Sequence, residues 1–358
     1  MLSIIIPAYN VENYIETTLR SVLDQIDQEI ELIVIDDNST DNTRIIIDRI
    51  YKEYKEDKFR IILSKDNNGV SYSRNVGIEN SEGQYIYFLD GDDYLSDRFV
   101  QSIKFETHNS DNDIIAFAYN TVLPNGNILH EYFKRFKIEQ ISSTWSGVDA
   151  LRSIINRKLT INSCSAIYKK EFLLRNKLMF EIGCTNGEDQ EFIYKSLSNA
   201  QKIKFIHDIL VYIVRRPGSV TNSPNIKKFD AIDALLRTAD YLHNKDNITL
   251  HEIASFIDGH KLASNYLLIY RTIYDNVLNE PITKYLNIIN KLENDIEYSY
   301  PSIKKKILAR IIKSNQINII RKTINIIYIK YPIVNYIVYY LKKRKMKKFD
   351  NATKLNAY

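Results

Sequence analysis

The feature that most narrows the fold is a hydrophobic period that keeps switching along the first 120 residues. Short apolar runs at Leu2–Ile6, Glu31–Ile35, Phe59–Leu63, Gln84–Leu89 and Asp113–Phe117 have strand length and are rich in β-branched or aromatic residues. Amphipathic stretches lie between them. Val11–Gln25 sets Ile15, Leu19 and Val22 on one helical face, with Ile26 following, and Asp41–Tyr54 does so with Ile45, Ile46, Arg49 and Ile50. Strand and helix in this alternation imply an α/β fold, a mostly parallel sheet flanked by helices. Ligands of such sheets bind beyond the carboxyl ends of the strands. The loops that follow the strands are where chemistry is expected.

Past Asn120 the rhythm breaks. Pro124-Asn125-Gly126-Asn127 between Tyr119–Leu123 and Ile128–Phe133 is a hairpin signal built on Asn-Gly. Helices are expected near Gly147–Asn156, Lys169–Asn176 and Glu188–Ser198, a strand at Ile209–Val214, and helix from Asp230 onward. Charge changes at about the same place. Residues 1–229 hold 28 basic and 32 acidic side chains, residues 230–358 hold 21 and 12, and the last 58 residues hold 15 basic side chains and one acid. A boundary is therefore expected near residue 225, between a domain over 1–225 and a helical, basic region over 226–358. Cys164 and Cys184 lack zinc or disulfide-framework spacing, which fits a reduced, cytoplasmic setting. No signal peptide is expected at the start, and the most apolar stretch, Ile324–Leu341, contains Lys330 and Pro332 and falls short of a membrane span.

The loops carry polar residues in a definite order. Strand one ends in Pro7-Ala8-Tyr9-Asn10, where Pro7 is expected to end pairing and Tyr9 suits stacking on a flat ring. Strand two ends in Asp36-Asp37-Asn38-Ser39-Thr40-Asp41. One acid there suffices as a helix cap; a second carboxylate can accept a hydrogen bond from a uracil N3–H. Strand three leads to Asn67-Asn68-Gly69 and a helix in which Arg74 lies about one turn along, suited to phosphate or to an ordinary ion pair. Strand four runs into Asp90-Gly91-Asp92-Asp93. Three carboxylates at one strand end repel one another, and a divalent cation such as Mg²⁺ or Mn²⁺ relieves that repulsion. Gly187-Glu188-Asp189-Gln190-Glu191 opens a later helix, where acids are also favoured by the helix dipole. Arg215-Arg216-Pro217-Gly218-Ser219 fits a phosphate clamp and equally a surface turn.

Together these segments resemble the family 2 inverting glycosyltransferases, of the type that builds capsule, O-antigen or other bacterial surface polysaccharides. The resemblance spans about residues 1–225. It rests on Ile6-Pro7-Ala8-Tyr9-Asn10, Asp36-Asp37-Asn38-Ser39-Thr40-Asp41, Asn67 through Asn75, Phe88-Leu89-Asp90-Gly91-Asp92-Asp93 and Glu188-Asp189-Gln190-Glu191. It implies the GT-A fold, a Rossmann-like, mostly parallel sheet, and a UDP-sugar donor. By the resemblance Pro7, Tyr9, Asp37 and Asn67 line the nucleotide pocket, Asp90-Gly91-Asp92 is the D-x-D motif, and Asp92 holds Mn²⁺ or Mg²⁺. Arg74 and Arg216 match positions near the phosphates, Asp189 matches the general base, and Glu188 lies on the acceptor side. A lysine that the group often carries before its Leu-Tyr pair has no counterpart at Ala166-Ile167-Tyr168. The implied acceptor is a hydroxyl of a glycan or lipid-linked oligosaccharide.

Two other readings compete. A nucleotidyltransferase would want a Gly-rich basic loop after strand one, which Pro7–Asn10 lacks, and a non-catalytic carbohydrate-binding relative would not need Asp90, Asp92 and Asp189 intact. The tail has its own pattern. Ile303, Ile307 and Ile311 recur at helical spacing among lysines, and Tyr336, Tyr339 and Tyr340 precede Lys342–Lys348. Apolar faces, aromatics and basic flanks of this kind suit an anionic membrane surface rather than nucleic acid. Peripheral contact through residues 300–348, on the inner face of the cell membrane, is the expectation, with helical packing or an oligomer contact as the alternative.

Overall fold

The computed structural model describes residues 1–55, 57–109, 111–216 and 226–262, with 264, 265, 268 and 269. The chain begins β1 (Leu2–Ala8), α1 (Ile15–Leu23), β2 (Ile30–Asp36), α2 (Thr43–Tyr54), β3 (Phe59–Leu63), α3 (Val70–Asn80) and β4 (Tyr85–Phe88). It continues through β5 (Tyr94–Leu95), α4 (Phe99–Asn109), β6 (Ile114–Val122), β7 (Ile128–His130), α5 (Tyr132–Arg135), β8 (Thr144–Trp145) and α6 (Gly147–Ile155). Then come β9 (Ala166–Lys169), α7 (Lys170–Arg175), α8 (Glu188–Asn199), β10 (Ile203–Val214), α9 (Asp230–His243) and α10 (Ile248–Phe256).

These strands form one mixed sheet in the order β3-β2-β1-β4-β9-β6-β10-β5, with β7 on β6 and β8 on β10. β1 pairs in parallel with β2 and β4, and β6 with β10, whereas β9 runs antiparallel to both β4 and β6. β2 and β1 are buried along their whole length, as their unbroken apolar runs require of strands covered on both faces. Helix α1 buries Ile15, Leu19, Val22 and Leu23 against this core, each worth about 1.5–3 kcal/mol. The strand order reverses beside β1, where β2 departs to one side and β4 to the other. The carboxyl ends of β1, β2 and β4 therefore border one crevice.

The α/β, mostly parallel sheet flanked by helices is as expected; several local features differ. Pro7 does not end the strand, because β1 stays paired with β2 through Pro7 and Ala8. On the β4 side the ladder has already stopped at Ile5 and Phe88, so the missing N–H of Pro7 breaks nothing there. In α2 the inward residues are Thr43, Ile47 and Ile50, and Ile45 is 66% exposed. β6 is one strand across the two expected runs, and the hairpin returns only through His130 before α5 begins. β9 follows its hydrogen bonds rather than any period, since four residues are too few to show one.

A first compact unit runs from Met1 to Ala254, so it includes α9 and most of α10, beyond the boundary expected at residue 225. Gly187, just before α8, lets α9 pack this closely. Its φ of +85° suits glycine, and a Cβ there would lie 2.9 Å from the Ala231 Cα. Buried Glu191 on α8 accepts from Arg237 on α9 at 2.6 Å, and Thr185 donates to Asp230 at 2.8 Å. A second unit begins at Ser255, with a π-helical turn at Ile257–Lys261. Residues 300–348, where membrane contact is expected, lie outside the described residues. Among the described residues no helix is long and apolar enough to cross a membrane.

Candidate active site

The loop after β4 and the start of α8 meet at one buried cation. Arg74, on α3, is only 2% exposed, and its guanidinium donates to Asp189 Oδ1 at 2.6 Å and to Asp90 Oδ1 at 2.7 Å. Glu188 lies 3.9 Å from the same group, and the guanidinium stacks over the Phe180 ring at 4.9 Å. The fork of Arg suits this double contact, one nitrogen to each carboxylate. Arg74 thus links the loop after β4 to the start of α8, two segments far apart in the chain. The sequence alone allows it to be a phosphate contact or a surface ion pair; its burial is a tertiary property.

Asp189 is fixed from both sides. Its second oxygen accepts from Ser163 Oγ at 3.1 Å. Ser163 sits in a single 3-10 turn, Ser163–Ser165, anchored by Asn162, whose side chain accepts from the Ser163 N–H at 2.8 Å. Sequence reasoning misses Ser163, because an Asn-Ser pair is the only trace it leaves and such pairs cap turns everywhere. Burial, with help from the Asp90 charge, raises the Asp189 pKa above the ordinary carboxylate value despite Arg74. Burial and the neighbouring Asp189 push Glu188 up to about 8.

The three acids after β4 have separate surroundings. Asp92 accepts from Arg216 Nε at 2.6 Å, and the Arg216 guanidinium lies 5.4 Å from the Tyr14 ring. Burial and the adjacent Asp90 still raise the Asp92 pKa. Asp93 turns inward, accepts from the Val214 N–H at 2.9 Å and so ties the loop to the end of β10. Burial raises its pKa well above the usual range. Asp90, Asp93 and Cys164 bring ligand-type atoms within 4.8 Å of one another. The Cys164 thiol is buried and its pKa is pushed well up, so it stays protonated, and soft sulfur does not suit Mg²⁺ or Mn²⁺. Gly91 packs closely, because a Cβ there would stand 3.0 Å from the Pro7 carbonyl oxygen, a tight contact.

On the β2 side the adjacent acids divide their work. Asp36 accepts from the Ser39 N–H at 3.3 Å, and Asp41 accepts from the Thr43 N–H at 3.0 Å, both local turn and cap contacts. Asp37 instead reaches the next loop. It is 3% exposed and accepts from the Asn68 N–H at 3.1 Å and the Gly69 N–H at 2.7 Å, at the start of α3. Tyr9 is 42% exposed at the crevice, Asn67 is exposed on the facing loop, and Pro7 is buried beneath Gly91. Asp90, Asp92 and Asp189 also open on a cleft of about 850 Å³.

Residues 3–161 match the family model described as glycosyl transferase family 2. The chain is 28% identical over 231 residues to the glycosyltransferase GlyG of Streptococcus pneumoniae, an alignment covering 62% of this chain and 72% of that protein. It is 25% identical over 229 residues to the poly(ribitol-phosphate) beta-N-acetylglucosaminyltransferase TarP of Staphylococcus aureus, covering 63% of this chain and 66% of that one. Its fold aligns with the S. aureus TarS 1–349 crystal structure in complex with UDP-GlcNAc, at a TM-score of 0.61 and 23% identity, over 87% of this chain and 88% of that one.

Proposed function

Because this chain carries a glycosyltransferase family 2 domain on a GT-A fold, we propose that it moves a sugar from a UDP-sugar to an acceptor hydroxyl with inversion, Asp189 serving as general base. The observation that carries the reading is the placement of Asp189, held by Arg74 and Ser163, beside the Asp90-Gly91-Asp92 loop and open to the cleft. A carboxylate with a raised pKa is a better base near neutral pH than an ordinary aspartate. Asp189 takes the acceptor proton as that oxygen bonds to the anomeric carbon. The bond from that carbon to the UDP oxygen breaks on the opposite face, so an α-linked donor gives a β-linked product.

Asp37, still with acceptor capacity beyond its two loop amides, and Asn67 face the uracil, while Pro7 and Tyr9 form the rest of the nucleotide pocket. Asp92, with Asp90, fits a hard divalent cation. The donor set is carboxylate oxygen, with Asp92 Oδ1 left for the ion because Arg216 already holds Oδ2. A bound Mn²⁺ or Mg²⁺ would neutralise charge on the departing diphosphate. Arg216 is in reach of the same phosphates, and Arg74 acts on them through Asp90. The acceptor is a surface glycan or its lipid-linked precursor, and the basic tail holds the enzyme at the cytoplasmic face of the membrane. The relatives that act on poly(ribitol-phosphate) support the polymer class.

Asp189→Asn should lower UDP-sugar turnover by about 10²–10⁴ while UDP binding, followed by calorimetry, survives. Near-normal turnover in that variant would remove the assignment.

A further inference from the structure

Arg215 and Arg216 leave the end of β10 in different directions. Arg216 goes to Asp92 and Tyr14. Arg215 lines the 850 Å³ cleft, whose floor includes Asp90, Asp92 and Asp189. Across that cleft stand β7 and α5, which bring His130, Lys134 and Arg135 to the same space. On that side, the rim of the cleft, one acid, Glu131, stands among these bases.

The rim is held firmly. Tyr132 is 4% exposed; its N–H donates to Asn120 Oδ1 at 3.0 Å and its hydroxyl to the Thr160 carbonyl at 2.7 Å. Its ring packs on Tyr119 at 5.3 Å and on Phe136 at 5.0 Å. The Arg135 guanidinium lies 5.1 Å from the Phe136 ring. The Arg215 N–H donates to the Val122 carbonyl at 2.7 Å, which pins its backbone to the end of β6. Both guanidiniums come close enough to Tyr119 to pull down a phenol pKa that burial raises.

The charges on this rim are unequally satisfied. Lys134 is paired with Glu131 at 2.6 Å. Among the described residues, Arg135 and Arg215 make no ion pair, although carboxylates line the floor of the same cleft. Two guanidiniums without an ion pair suit a phosphate or carboxylate, because each fork can grip two of its oxygens.

We propose that Arg135 and Arg215 form an acceptor subsite for an anionic group, so the acceptor carries a phosphate or a carboxylate close to the hydroxyl presented to Asp189. The subsite rests on the glycosyltransferase reading of the cleft and adds the acceptor's chemical class. Lys134 and His130 border it without being needed for the grip.

The test uses the full chain with UDP present and measures binding of ribitol 5-phosphate, methyl glucuronide, ribitol and methyl glucoside by calorimetry. At least one charged probe should bind about tenfold more tightly than its neutral counterpart, as hydrogen bonds to charged groups allow. That preference should fall at least fivefold in Arg135→Ala/Arg215→Ala and recover in part in Arg135→Lys/Arg215→Lys. Both arginines are exposed, so the double alanine variant should still melt within about 2–4 °C of the parent. Preference for ribitol 5-phosphate assigns the phosphate, and preference for methyl glucuronide assigns the carboxylate. Equal binding of charged and neutral probes, or a preference that survives the double alanine variant, overturns the proposal. UDP binding and UDP-sugar consumption, recorded on the same samples, judge the glycosyltransferase reading separately. Their absence would sink that reading and leave the anion preference as a distinct result.

Discussion

Replacing Arg74 with Met tests whether the site is organised by charge or by packing. The substitution keeps much of the side chain's length and removes the guanidinium that serves Asp90, Asp189 and Glu188. Removing one partner from a buried ion pair costs about 3–5 kcal/mol. Asp90 and Asp189 keep 31% and 33% side-chain exposure, so water relieves part of this and the lower end applies. For a unit of this size about 3 kcal/mol corresponds to roughly 6–12 °C in Tm. Thermal melts by near-ultraviolet circular dichroism, at about pH 8 and about pH 5.5, separate the two causes, because one carboxylate changing protonation is worth up to ~1.36 kcal/mol per pH unit.

The sign is fixed by the acids left behind. Without Arg74 the folded-state pKa values of Asp189 and Glu188, which burial already raises, rise further above those of the unfolded chain. The folded variant is then fully competitive at low pH and loses stability as pH rises through the folded values. The deficit relative to the parent should be larger near pH ~8 than near pH ~5.5, with Arg74→Lys falling between. A deficit of the same size at both pH values would refute the charge argument. It would point instead to the lost stacking on Phe180.

Glu188→Gln should flatten the pH dependence of stability. Glu188 is raised from 4.5 to about 8, so the parent loses stability as pH rises through that window, and denaturant titrations across it should show no such loss from this position in the variant. Gly187→Ala should lower Tm, because it adds a strained +85° φ to a 2.9 Å contact with Ala231. The loss should be at least about 1 kcal/mol, and an unchanged melting curve would argue against the tight α8–α9 contact. The full chain should co-sediment with anionic vesicles at low salt and release as salt rises, whereas neutral vesicles should retain little of it. Equal recovery with both kinds of vesicle would remove the electrostatic role given to the basic tail.

The legible part of this protein is the part written locally. A run of five or six mostly apolar residues announces itself, and so does the polar loop at its end, which is why Asp37, Asp90 and Asp92 stand out in the sequence; Asp189 stands out as one of the acids that open α8. Their cations do not. Arg74 is one arginine in an ordinary helix until it is seen to be 2% exposed between two carboxylates. Ser163 comes from a 3-10 turn without periodicity, and β9 enters the sheet through four residues that carry no pattern. The asymmetry has a physical cause. Strand ends and the start of α8 concentrate acids in short runs, while the arginines that meet them come from distant segments: Arg74 for Asp90 and Asp189, Arg216 for Asp92. Folding is what balances these charges, so the site exists only once α3, α8 and the end of β10 have converged. Arg135 and Arg215 are the exception that gives the pattern its use. They converge in the same way and meet no ion-pair partner among the described residues, which is the arrangement expected when the missing acid belongs to the substrate.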